Sequence, residues 1–157
     1  MKKIFLAVFM VTLLLLSSCS GSTKISFDIP DGFTATEMEG LDEAYIAEDG
    51  SNINLLISDK TRDFDSIDQE SWISTIEDMY YESLGVLVDI NIKNFDNEKI
   101  CGYPSYQIEF TCDATVSQFT QLVVTIDADK TYTITYTDSN GTYMDAFRNS
   151  ADSIELE

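Results

Sequence analysis

Apolar residues recur at two periods along the chain, and the switches between them predict its elements. From Lys24 to Ile29, Ile25, Phe27 and Ile29 alternate with polar residues, and Pro30-Asp31-Gly32 closes this first strand as a turn. Glu43–Ala47 and Asn52–Ser58 are short apolar runs separated by Glu48-Asp49-Gly50-Ser51, an Asp-Gly signal for an antiparallel hairpin. Between Asp68 and Leu84 the period becomes helical, with Trp72, Ile73, Ile76, Met79, Tyr80 and Leu84 at steps of three and four. Ser66 followed by Gln69 reads as a capping box, Asp68 and Glu70 fall in the first turn, and Gly85 occupies the glycine position past the end. Such a helix buries its apolar stripe, so Trp72, Ile76 and Tyr80 are expected against a sheet.

From Val86 the period returns to two. Asp89–Ile100, Tyr103–Cys112, Ser117–Ile126 and Thr131–Thr137 are joined at Cys101-Gly102, Asp113-Ala114 and Asp127-Ala128-Asp129, which predicts a meander of antiparallel strands. Tyr106, Ile108, Phe110 and Cys112 share one face, opposite Gln107, Glu109 and Thr111; Tyr132, Ile134 and Tyr136 alternate with threonines. Asp138-Ser139-Asn140-Gly141 breaks the last strand, and Tyr143, Phe147, Ala151 and Ile154 mark a short amphipathic helix. The order predicts an α+β domain, an antiparallel β-sheet of about six to seven strands flanked by helices.

Five segments carry a resemblance: Ile25-Ser26-Phe27-Asp28-Ile29-Pro30, Asp49-Gly50-Ser51-Asn52-Ile53-Asn54, Gly102-Tyr103-Pro104-Ser105-Tyr106, Tyr132-Thr133-Ile134-Thr135-Tyr136, and a last helix closing on Ser153-Ile154. Together they resemble the PsbP-like superfamily, which includes photosystem extrinsic subunits, the Ran-binding Mog proteins and bacterial DcrB-type lipoproteins and secretion chaperones. The resemblance implies an α/β/α sandwich that binds other proteins. It implies no shared catalytic constellation, so no functional residue carries over.

The first residues are patterned for targeting. Lys2 and Lys3 precede an uncharged apolar run from Ile4 to Leu16, whose 13 residues are too few to span about 30 Å of hydrocarbon as a helix. The run ends in Leu16-Ser17-Ser18-Cys19, which resembles the lipobox of bacterial lipoproteins. That resemblance implies a diacylglyceryl group on Cys19, cleavage before it, and an address on the extracytoplasmic face of the cell membrane. Two acyl chains anchor stably where one holds only transiently. The expected organisation is a lipoprotein signal peptide at 1–18, a lipidated N-terminus with a short linker at 19–23, and one domain at 24–157.

Charge narrows the partners. Cleavage leaves 28 acidic against 7 basic side chains, a formal charge of −21 on 139 residues. Such a surface is repelled by phosphate backbones, which excludes nucleic acid, and it favours a basic protein partner or divalent cations. The chain has no histidine. Imidazole bases, Ser-His-Asp and Cys-His pairs and imidazole metal ligands are therefore absent, and no pair of carboxylates is placed across an identifiable cleft. A non-enzymatic protein without cofactor is expected.

Two further constellations carry candidate chemistry. Cys101 lies at a turn and Cys112 eight residues past Pro104 on an extended strand, about 26 Å away at about 3.3 Å per residue, too far for a disulfide. Asp63, Asp65 and Asp68 are weak candidates for a calcium site, lacking the glycine and closing glutamate of an EF-hand loop; helix capping explains them as well. The expected function is a membrane-anchored protein-binding module. Alternatives are a ligand- or cation-binding lipoprotein with a pocket between sheet and helix near Trp72, Tyr80 and Tyr106, or an immunity-type inhibitor of a toxin.

Overall fold

The computed structural model describes residues 23–60, 64, 67–85, 87–114 and 117–157. Its elements in chain order are β1 (Ile25–Ser26), β2 (Thr34–Thr36), β3 (Glu43–Ile46), β4 (Asn52–Ser58), α1 (Gln69–Leu84), β5 (Val88–Ile100), β6 (Tyr103–Ala114), β7 (Ser117–Asp127), β8 (Thr131–Asp138), α2 (Met144–Asp152) and β9 (Glu155–Leu156). Seven strands form one antiparallel sheet in the order β2-β3-β4-β8-β7-β6-β5, and β1 pairs with β9 in a separate ribbon.

The long strands follow from alternation and turn chemistry. The β3–β4 turn is held by Asp49, whose carboxylate accepts from the Ser51 amide at 2.9 Å and the Ser51 hydroxyl at 3.0 Å. The β5–β6 turn needs positive φ at both central residues, and Cys101 (53°) and Gly102 (87°) supply it. Two expectations need correction. The expected first strand contributes only Ile25 and Ser26, and these pair with the chain end instead of the main sheet. The seventh strand of the sheet is instead β2, three exposed residues held by pairing with β3.

The helix α1 is capped differently from the expected Ser66–Gln69 box. Asp68 is the N-cap: its carboxylate accepts from the Ser71 amide at 2.8 Å, and the Ser71 hydroxyl in return accepts from the Asp68 amide at 3.2 Å. Gly85, at φ 66°, ends the helix with its amide donating to Tyr81 O.

The two sheet faces carry separate cores. Leu122, Val124, Ile126, Tyr132, Ile134 and Tyr136 point to one face and pack under Phe147, Ala151 and Ile154 of the α2 region. Tyr106, Ile108, Phe110 and Cys112 point to the other and pack against Tyr80, with Trp72, Ile73 and Ile76 partly buried over them. Glu109 on β6 is bonded by Arg148 of α2 in a bidentate pair at 2.8 and 2.9 Å, which ties that helix across the sheet.

Both ends of the domain are fixed to the body. Lys24 and Glu157 exchange backbone hydrogen bonds at 2.8 and 2.9 Å, and the Tyr132 hydroxyl donates to Thr23 O at 3.0 Å. No helix among the described residues is long and apolar enough to cross a membrane.

Candidate functional site

An α-helix with its side chains is about 10 Å across and strands lie about 4.8 Å apart, so one helix covers roughly two strands. α1 packs over β5, β6 and the near part of β7, and among the described residues no helix lies over the same face of β8 and β4. Because β8 alternates, its tyrosines and Ile134 go to the α2 side, and Thr133, Thr135 and Thr137 go to the other side, where Thr137 is buried. Asn52 and Asn54 of β4 stand opposite Thr137 and Thr135 on that face.

A cleft of about 180 Å³ opens where the helix stops and the polar strip begins. One wall is Trp72, Ile76, Met79 and Tyr80 of α1 with Phe110 of β6; the floor is Asn54, Gln121, Val123, Thr125, Thr133, Thr135 and Thr137. Trp72 stands edge-on to Phe110 at 4.9 Å. Gln121 Nε2 donates to Thr137 Oγ1 at 2.8 Å, and Asn54 Nδ2 donates to Asn52 Oδ1 at 3.0 Å. Trp72 and Tyr80 thus line the cleft while packing against the sheet. Tyr106 does not: it is buried beneath Phe64, to whose carbonyl its hydroxyl donates. The amides and threonines of the floor were not identified from sequence, although the Tyr–Thr alternation of β8 signals two faces of unlike polarity.

The other candidates separate. Leu16, Ser17, Ser18, Cys19, Asp63 and Asp65 lie outside the described residues. Asp68 spends its carboxylate on the α1 cap, and the Ser71 amide and hydroxyl hold its pKa below the usual carboxylate value. Among the described residues no three acidic or cysteine side chains are grouped to hold a metal. A hollow along residues 36–44 is acidic, and its Asp42 carboxylate accepts from the Ile57 amide at 2.7 Å. Cys101 is an exposed thiol and Cys112 a fully buried one.

Burial, with Asp113 and Asp89 adding to it, pushes the Cys112 thiol from 9 up to about 12. Burial, with the Glu43 hydrogen bond adding to it, pushes Tyr45 from 10 up to about 12. Tyr80 and Tyr136 are raised by the same desolvation. A group whose pKa is raised by folding stabilises the fold fully below its unfolded value and loses that contribution as pH climbs towards the folded one. The urea midpoint is therefore expected to fall progressively between about pH 9 and about pH 12, and Cys112→Val to flatten the early part of the fall. A midpoint unchanged to pH 11 or so contradicts this burial.

Sheet order, flanking helices and terminal ribbon define an α/β/α sandwich of the PsbP type. The chain is similar to cyanobacterial PsbP (CyanoP) from Synechocystis sp. PCC 6803, known from a solution structure, with a TM-score of 0.65, 16% identity, and coverage of 90% of this chain and 99% of that one. It is also similar to LpqN, a protein involved in cell envelope biogenesis of Mycobacterium tuberculosis, with a TM-score of 0.51, 10% identity, and coverage of 87% and 84%. No family model and no curated protein matches the chain. At these identities the likeness is one of fold.

Proposed function

We propose that the protein is a non-enzymatic lipoprotein, anchored through a diacylglyceryl group on Cys19 to the extracytoplasmic face of the cell membrane, and that its domain binds another protein. The reading rests on the spacing between Leu16-Ser17-Ser18-Cys19 and a domain that is already fixed at Thr23. Four peptide steps reach at most about 14 Å. Such a leash keeps the β1–β9 ribbon and the β7–β8 turn at the headgroups and turns the opposite end outward. An envelope role of LpqN agrees with this address.

The outward end supports the partner chemistry. Among the described residues it carries the two most exposed large apolar side chains, Tyr81 (56%) and Leu87 (79%), at the junction of α1 with β5. Exposed Glu48, Glu82, Asp89 and Asp113 stand at the same end, and no salt bridge among the described residues reaches them. An apolar contact with an acidic rim fits a basic protein surface. By contrast, Lys60 and Lys130 at the tethered end are paired with Asp127 and Asp59.

The test combines anchor and surface. Wild-type protein is expected in the membrane fraction with a diacylglyceryl mass on Cys19, and Cys19→Ala in the soluble fraction. A photo-crosslinking residue at position 87 is expected to give a discrete protein adduct that weakens with salt and is absent when the residue stands at position 36. Unlipidated mature protein, or the same adducts from both positions, overturns the reading.

A further inference from the structure

β5 ends the sheet, with β6 as its one neighbour among the described residues, so every second residue turns its N–H and C=O outward to a free edge. The two halves of that edge differ. A bulge shifts the register between Ile92 and Asn94, with Lys93 at the bulge and Asp96, Glu98 and Lys99 beyond it. Bulges and charges of this kind keep a free edge from pairing. The half before the bulge, Val88–Ile92, has no such device and carries one charge, Asp89. Val88, Ile90 and Ile92 face α1, with Val88 and Ile92 only half-buried, while Asp89 and Asn91 are exposed on the other face. Asp89 stands directly opposite Asp113 of β6, and like charges in that position repel. Gln118 Nε2 donates to Asp113 without bringing charge, and no salt bridge among the described residues reaches either carboxylate.

We infer that Val88–Ile92 binds an extended segment of the protein partner by strand addition, and that basic and apolar side chains alternate along that segment. The added strand sets a lysine or arginine opposite Asp89, where it relieves the repulsion with Asp113, and an apolar residue beside Ile90 and Leu87 on the α1 side. This rests on the reading of the outward end as the protein-binding surface and names its mode of binding. Charge selects against a second copy as the occupant. Two β5 strands paired antiparallel about Ile90 set each Asp89 diagonal to its counterpart and gather four carboxylates with the two Asp113, on chains that each carry a formal charge of −19.

The full-length chain in phosphatidylcholine nanodiscs, with empty nanodiscs as blank, is titrated with a fluorescein-labelled heptapeptide of alternating lysine and valine. Its anisotropy is expected to saturate, and the same peptide with every internal backbone amide methylated to bind about tenfold more weakly, since it keeps the charge and loses the edge donors. Asp89→Lys is expected to weaken binding about tenfold, and Asp152→Lys, the same change of charge at an exposed position of α2, less than about twofold. Hydrogen exchange read by mass spectrometry is expected to slow over residues 88–92 when the peptide is bound, a wild-type readout that holds even where Asp89→Lys does not fold. Equal binding of the methylated peptide, equal weakening by both substitutions, or unchanged exchange over 88–92 overturns strand addition. Exchange there that slows without peptide as more chains are loaded per disc makes the occupant a second copy and overturns it too. A discrete adduct at position 87 leaves the anchored binding module standing in each of these cases. If that adduct is missing while the peptide still slows 88–92, the module reading falls and strand addition at this edge stands.

Discussion

Asp138→Ala is expected to destabilise the protein by about 3 kcal/mol and to lower its melting temperature by roughly 10 °C. Asp138 ends β8 and is 1% exposed, a position that a carboxylate tolerates only when its charge is met. It is met by backbone. Oδ1 accepts from the amides of Gly141 at 2.9 Å, Thr142 at 3.1 Å and Asn140 at 3.3 Å, and Oδ2 from Tyr143 at 2.8 Å and Met144 at 3.1 Å. The N-cap of α2 is Tyr143, whose side chain caps nothing, so Asp138 satisfies the start of that helix from the end of a strand. Alanine leaves five amides without this acceptor. Asn is expected to rescue little, since its NH₂ group faces N–H donors on one side. Thermal and urea unfolding of the three proteins check both statements, and an Asn variant as stable as wild type contradicts the role given to the charge.

What was legible in the sequence depended on how local its cause is. The β3–β4 hairpin and the meander from β5 to β8 are written as alternation punctuated by turn residues, and their pairing follows from those alone. The strand β2 reads Thr-Ala-Thr, without an apolar face, and exists because β3 offers it an edge. Likewise β9 is two residues whose partner lies at the other end of the chain. The cap of α1 was displaced by two residues because a reciprocal Asp68–Ser71 box does not carry the Glu or Gln that the usual signature needs. The cleft was legible by halves. Helix periodicity placed Trp72 and Tyr80 towards the sheet, but Asn54 became a site residue only through where α1 stops across the strands, a tertiary fact with no local signature.

Phe147→Ala is expected to cost about 3–5 kcal/mol, the range for emptying a buried aromatic position. Phe147 is 0% exposed and faces the sheet from α2, with its ring centroid 5.2 Å from Tyr136, 5.5 Å from Phe33 and 6.0 Å from Tyr143. Its neighbours come from β8, the loop before β2 and the N-cap of α2, so no single element can close the void. Trp72→Ala, on the opposite face and only half-buried, is expected to cost less, about 2 kcal/mol. The two cores have no side chain in common and the sheet stands between them. Their effects on unfolding are therefore expected to add within about 0.5 kcal/mol in the double variant. Coupling beyond about 1 kcal/mol would mean that the β-sheet shifts as a body when α2 loosens, and the cleft on one face would then report on packing at the other.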